Sequence, residues 1–467
     1  MKNKSKGRTV KDFLNYALGD LFVKGFLFIS LPLLSRIMDP TQYGKLSLIN
    51  TAIMIMYVFV SVNMQNAVMN RYMKTKENFD NYLGSIILFL IPFQAIILIA
   101  EPLYRTVLSK VLGVDAEDLI WIIVICIMLS YIYIYTSYLQ ASRQSLQYVK
   151  INVLSKITEV ILIFAFAYFM TSHQYLSKIY SQVIISTVVM GFIIIRIKKL
   201  VCYPSGSSDI KDALLFSVPL IIHVLSNSLL SQADRLMIAD MLGVYAAGIY
   251  SFSYNLGMCI IVVVMAWNSS WQPRLYKFLD NGDITKIRSI TLSSTIVVFS
   301  VSAIAILYSN EMIKVLAGAS YYQGAEIVPI IILGNALIHI YMSYANFVFY
   351  QKRSIIISVA TMFALIVNIL TNYYVIPIFG IIGAAWATVM SYFVLCLFHY
   401  MAATFITKNN VISLAYLVIF TLGLMMVIIF TSWINNFDFI LALMIKISLM
   451  LIVFLLLVKS KIYNKLS

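Results

Sequence analysis

The chain has 467 residues, 61% of them hydrophobic and only 11% charged, with a mean hydropathy of +0.90. Soluble domains carry about 25% charged residues, so a water-soluble enzyme or binding domain is excluded. The apolar runs are continuous, which excludes a barrel of alternating ten-residue strands. A net charge of +15 would suit nucleic acid, but the basic residues gather in alternate loops and mark topology instead.

About fourteen apolar stretches cover the chain, each near the ~20 residues a helix needs to cross the hydrocarbon core. The first predicted helix, 12–36, follows a basic segment and lacks the small-residue cleavage site of a signal peptide. It carries Asp20 and Lys24, four apart on one face. The pair reads either as a cationic cavity-lining group tuned by a carboxylate, or as a self-neutralising pair that helps the helix insert. Arg36 ends this helix as an interfacial anchor. Predicted helices follow at 45–68, 81–101 and 118–140. Tyr131, Tyr133 and Tyr135 on the last of these suit an interfacial belt or a sugar-stacking wall.

The fifth predicted helix, 148–170, has Asn152, Lys156 and Glu159 at spacings of four and three. Glu159 reads either as a protonatable coupling group or as a partner for Lys156. A sixth helix at 175–197 precedes a polar stretch that contains Pro204-Ser205-Gly206-Ser207-Ser208, a linker composition.

The seventh predicted helix, 212–238, carries His223, Asn227, Ser231 and Asp234 at steps of four, four and three. This polar stripe predicts a water-accessible face. For Asp234 and Arg235 the competing expectation is an exposed loop pair, which contributes little energy. Helices at 245–270 and 286–308 lead to the tenth, 325–350, where Asn335, His339, Ser343 and Asn346 share a face. The eleventh, 354–377, adds Asn368 and Asn372. Amides of this kind bond helices together as readily as they bind hydroxyl-rich cargo. Gly380/Ala384 and Gly383/Ala387 open the twelfth, 380–405, as small-residue pairs for close packing. The last two helices lie at 411–433 and 438–459.

The linker divides these helices into bundles at 1–203 and 204–406, with two C-terminal helices in 407–467. A weak repeat agrees with it. Gly44 and Ser47 pair with Gly248 and Ser251 at one offset, and Arg71 pairs with Arg274 at nearly the same offset. The expected fold is an all-α polytopic membrane protein, two parallel-repeat six-helix bundles plus two C-terminal helices. With the N-terminus in the cytoplasm, most of the 34 Lys and Arg fall in cytoplasmic segments, including Arg274/Lys277 and Lys352/Arg353. An even helix count then puts both termini in the cytoplasm, where the basic excess meets anionic lipid.

Cys126, Cys202, Cys259 and Cys396 have neither metal nor disulfide spacing. No Walker loop, HExxH or nucleophile–base pairing is present. The sequence therefore points to a transporter with no cofactor and no nucleic-acid partner. Its uphill work would draw on H+ or Na+ coupling, on membrane potential or on product consumption.

Leu33-Leu34-Ser35-Arg36 leading into Asp39-Pro40-Thr41-Gln42-Tyr43-Gly44 resembles the first-loop motif of polysaccharide repeat-unit flippases. Asp234-Arg235-Leu236-Met237-Ile238-Ala239 with Gly243 and Ala247-Gly248-Ile249-Tyr250 resembles the second-half motif. Asn368 through Tyr374, with Ile376-Pro377, Gly380 and Gly383-Ala384-Ala385, resembles a third. The superfamily also holds multidrug and toxin extruders and lipid II flippases. The resemblance implies a flippase of undecaprenyl-diphosphate-linked oligosaccharide in the bacterial cytoplasmic membrane, serving O-antigen, lipopolysaccharide or capsule, with a polymerase and other assembly proteins as partners. The two-bundle architecture implies cargo binding between the bundles and alternating access.

Overall fold

The computed structural model describes residues 19, 22–23, 25–26, 28–198, 201, 207–407 and 411–459. Asp20 and Lys24 lie outside the described residues. All regular structure among the described residues is helical. Among the described residues, eleven helices are long and apolar enough to cross a membrane, or twelve when one bent pair counts as a single span.

The first turn motif starts a helix. After α1 (Phe28–Ile37), Asp39 caps α2 (Pro40–Ser61) by accepting the Gln42 N–H at 2.9 Å, with Pro40 in the first turn. Both choices supply what a helix N-terminus lacks. Helix α2 then breaks at Val62 and Asn63, which hold positive φ of 48° and 57°, and α3 (Met64–Lys74) continues beyond. Helix α4 (Phe79–Leu112) runs past the expected end at 101, and Gly113 closes it with φ of 64°. At 34 residues it is about 50 Å long, more than a single core thickness. Helices α5 (Leu119–Ala141), α6 (Ser145–Phe169) and α7 (Leu176–Ile197) match the expected fourth to sixth. Helix α8 (Ser207–Leu242) extends the seventh at both ends.

Helices α9 (Val244–Gly257) and α10 (Cys259–Asp280) meet at a bend of 40° and together are long and apolar enough for one span. Helix α11 (Ile284–Leu307) is followed by the short α12 (Ser309–Leu316), and then by α13 (Val328–Tyr350). Helix α14 (Ser354–Thr407) is two spans folded at Gly380, whose φ of 59° and ψ of −142° suit only glycine. Gly383 meets that fold closely, since a Cβ there would lie 2.7 Å from the Val375 carbonyl oxygen. The close approach expected of the small residues is thus met at Gly383, whereas Gly380 has open space where a Cβ would stand and serves the fold of the backbone instead. Helices α15 (Ala415–Ile434) and α16 (Phe439–Lys459) complete the chain.

Contacts divide the chain into Met1–Asp240 and Met241–Ser467. The boundary expected at 203/204 lies at the start of α8, and α8 groups with the first unit. Its bonds explain why. Ser217 donates to the Asn63 carbonyl at 3.4 Å, and Thr51 donates to Gln232 Oε1 at 3.0 Å. In the first unit α5 is the central helix, packed against α2, α3, α4, α6 and α7. In the second, α13 is central, against α9, α10, α11, α14 and α15. Outward side chains are large and apolar, with Leu103 88% and Phe169 80% exposed. Such a surface is at home in lipid, so the protein is a multi-pass membrane protein.

Candidate functional site

Helix α6 presents Asn152, Lys156 and Glu159 along one side. The Asn152 amide donates to the Tyr148 carbonyl of its own helix at 3.0 Å. Glu159 is buried, and it accepts from Lys156 Nζ at 3.0 Å and from Lys178 Nζ on α7. The partner reading of Glu159 is therefore the one the geometry supports, with a second cation added. Lys178 is itself buried, while Lys156 is 31% exposed. Two ammonium groups share one carboxylate, leaving one positive charge in excess on the exposed side. Sequence reasoning missed Lys178 because α7 carries no acidic residue to pair with it. Its partner comes from a neighbouring helix, beyond the reach of any three- or four-residue spacing rule.

On α8, Asn227 is exposed and His223 half-buried, with no hydrogen-bond partner for its Nδ1 among the described residues. Ser231 donates to the Ser228 carbonyl at 2.9 Å. Asp234 and Arg235 are both buried, which corrects the expectation of an exposed loop pair. The helix continues to Leu242, so both residues sit two turns inside it. Arg235 Nη1 donates to the Ser231 carbonyl at 3.2 Å and to Gln232 Oε1, which also accepts from Thr51 on α2.

In the second unit, Asn335 and His339 are buried on α13. Neither amide atom of Asn335 has a hydrogen-bond partner among the described residues. His339 Nε2 lies 3.2 Å from Thr295 Oγ1 on α11, and Ser343 donates to the His339 carbonyl at 2.9 Å. Asn346 donates to Asn268 Oδ1 on α10 at 2.9 Å, and Asn372 donates to Asn368 at 3.1 Å. Of the candidates, the structure joins Lys156 and Glu159 directly. Asn152, Ser231 and His339 bond to residues outside the set.

Three further ionic groups escaped the sequence reading. Arg105 donates twice to the buried Glu101, at 2.8 and 2.7 Å, in the part of α4 beyond its expected end. Lys446, fully buried on α16, donates to Glu311 of α12 at 2.7 and 3.0 Å and to Asn435 at 2.7 Å. Lys45 and Tyr175 both donate to Asp115, at 2.8 and 2.7 Å. Burial raises the Asp115 carboxyl, but Lys45 and Tyr175 outweigh it and hold the group below its ordinary value. The Tyr175 N–H donates to Gln42 Oε1 at 3.2 Å, so the first turn motif is tied to the start of α7. Among the described residues no cluster of three His, Cys, Asp or Glu is placed to hold a metal.

The family model for "Polysaccharide biosynthesis protein" matches residues 9–279, more than half of the chain. The chain belongs to that family. Within its wider circle it is similar to "Lsg locus putative protein 1" of Haemophilus influenzae, 22% identical over 412 residues, covering 83% of this chain and 98% of that protein. It is also similar to a second H. influenzae membrane protein, 21% identical over 404 residues, with 80% and 94% covered. Among solved structures, the lipid II flippase MurJ in an inward closed conformation matches with a TM-score of 0.69 at 15% identity, covering 96% of this chain and 99% of that one. An inward-facing multidrug resistance MATE transporter of the MOP superfamily matches at 0.64 and 13% identity, over 84% and 96%. At such identities these structures establish the fold, which this polysaccharide biosynthesis protein shares. The all-α polytopic architecture expected from the sequence is the one found.

Proposed function

We propose that the protein is a flippase. It moves polyprenyl-diphosphate-linked oligosaccharide repeat units from the cytoplasmic to the external leaflet of the bacterial cytoplasmic membrane, supplying a surface polysaccharide such as O-antigen or capsule. One observation carries the reading. A chain of the polysaccharide biosynthesis family is membrane helix almost from end to end in its described residues, so its part in polysaccharide synthesis is done within the bilayer. The MOP-type fold and the relative from an Lsg locus support it.

The cargo has an anionic diphosphate, a hydroxyl-rich head and a lipid tail. Cations with spare charge, such as Lys156 beside Glu159 and Lys178, offset the diphosphate. The polar stripe of His223, Asn227 and Ser231 solvates the head. H+ or Na+ coupling powers accumulation, both termini are cytoplasmic, and a polymerase takes the product outside. The same fold serves lipid II transport and drug extrusion, and the family match favours polysaccharide cargo over either.

Deletion of the gene tests the reading. Lipid-linked repeat units should collect on the cytoplasmic leaflet while a surface glycan is lost. Unchanged surface glycan, in a strain with no second copy of the function, refutes it.

A further inference from the structure

The polar stripe of α13 has a counterpart on α10 in the second unit. Asn268, Gln272, Tyr276 and Asp280 recur every four residues along α10, so they lie on one side of the helix. Two of them bond to α13. Asn346 donates to Asn268 at 2.9 Å, and the Tyr350 hydroxyl donates to Asp280 Oδ1 at 2.6 Å. Between these, Gln272 donates to the Tyr276 hydroxyl at 3.0 Å. The result is a seam of amide, phenol and carboxylate groups in which Asn268, Gln272 and Tyr276 stay half-exposed.

Beside the seam, the indoles of Trp267 and Trp271 stack at 6.0 Å with an interplanar angle of 16°. Trp271 is buried, and Trp267 is half-buried with its Nε1 donor lacking a partner among the described residues. Hydrocarbon alone does not explain this strip, because it penalises the unpartnered Trp267 N–H and the amide functions that Asn268 and Gln272 leave unused. A pyranose ring does. One face of the sugar is a sheet of C–H bonds that lies flat on an indole. Its rim is a row of hydroxyls that each donate and accept, as side-chain amides and carboxylates require. Asn268 and Gln272, both half-exposed, each use one amide function on a protein neighbour, so the other can meet a hydroxyl, while the buried Asn346 holds Asn268 in place.

The position fits cargo entry. Arg274, Lys277, Lys352 and Arg353 gather at the same end of α10 and α13, which the charge rule assigns to the cytoplasm. The geometry points to a sugar-recognition strip, formed by Trp267, Asn268 and Gln272 and backed by Asn346, that binds a pyranose of the cargo head on the cytoplasmic side and selects which glycans are accepted. This inference rests on the flippase reading.

The test uses the full-length protein in detergent micelles, with native mass spectrometry as the readout. Two probes are compared: undecaprenyl diphosphate bearing a disaccharide, and bare undecaprenyl diphosphate. Wild-type protein should prefer the sugar-bearing lipid. Trp267→Leu and Gln272→Ala should each cut that preference about tenfold, about 1.4 kcal/mol, and Trp267→Phe, which keeps a flat ring, should retain most of it. Two results overturn the strip alone: a wild-type protein that binds both lipids equally, or variants that keep the full preference. If wild-type protein binds neither lipid, the flippase reading falls and the strip falls with it.

Discussion

The Lys156–Glu159–Lys178 cluster allows its energetics to be worked out before measurement. Glu159→Gln leaves Lys178 buried without its carboxylate, at 4% exposure. Stranding one charge of a buried pair costs about 3–5 kcal/mol. Lys178→Met is milder, because Glu159 keeps Lys156 at 3.0 Å. It loses one charged hydrogen bond, worth about 1.5–3 kcal/mol. The double variant removes both buried charges and substitutes a side chain of similar reach, so it should be more stable than Glu159→Gln alone. The cycle should therefore show a coupling of about 2 kcal/mol or more between the two positions, above the ~0.5 kcal/mol scatter of independent sites. Denaturant unfolding of the four proteins in one detergent measures it. If the two single losses are equal and simply add in the double variant, the shared-carboxylate account is wrong.

Lys446 and Glu311 make a similar pair with a different asymmetry, since Lys446 is fully buried and the Glu311 side chain is 20% exposed. Glu311→Gln should lower thermal stability more than Lys446→Met, as the first strands the deeper charge; the opposite order would contradict the geometry. For Asp115 the folded carboxyl sits below its ordinary value of 3.8. Its contribution is therefore present above that pH and lost as pH falls through the lower folded value. Asp115→Asn should reduce stability at neutral pH by a small amount, given its exposure, and the gap from wild type should close under acid titration. Gly383→Val forces a Cβ to within 2.7 Å of the Val375 carbonyl, and Gly380→Ala imposes a backbone state costing about 1–3 kcal/mol. Both should lower the yield of monodisperse protein in size-exclusion profiles, Gly383→Val the more severely.

The helices were legible in the sequence because lipid imposes length and apolarity on each of them directly. The expected segments all correspond to helices, with the first described only from Phe28 onward as a continuous run. Their ends were less legible. Helix α4 keeps going to Gly113 and α8 to Leu242, because hydropathy falls at the membrane surface while the backbone stays helical until a residue stops it. That error carried into the chemistry. It left an exposed loop pair open as the competing reading for Asp234 and Arg235, and it put Glu101 at a helix end. The candidate site was legible only where partners share a helix, as Lys156 and Glu159 do. Lys178 with Glu159, Lys446 with Glu311 and Asn346 with Asn268 are joined across helices, and no one-dimensional spacing encodes such pairs.

The second helix of each expected half is interrupted, and the two interruptions differ in chemistry. In the first half, α2 stops at Val62 and Asn63, two side-chain-bearing residues held at positive φ, a state disfavoured for a β-branched residue. Polar groups make the break tolerable. Gln94 donates to the Val60 carbonyl at 3.2 Å, Ser217 donates to that of Asn63, and the Asn63 N–H finds Ser61 Oγ at 3.1 Å. In the second half, α9 and α10 bend after Gly257, where a Cβ would stand 2.7 Å from Ile331. There the interruption is met by close packing of a bare backbone against α13. Both halves interrupt a membrane-spanning helix, one by satisfying the loosened backbone with side chains and the other by removing a side chain to let a neighbour in. More than one chemistry thus supports a broken helix. Gly44 and Gly248, which correspond in the sequence, both stand near the start of the helices, α2 and α9, that precede these interruptions.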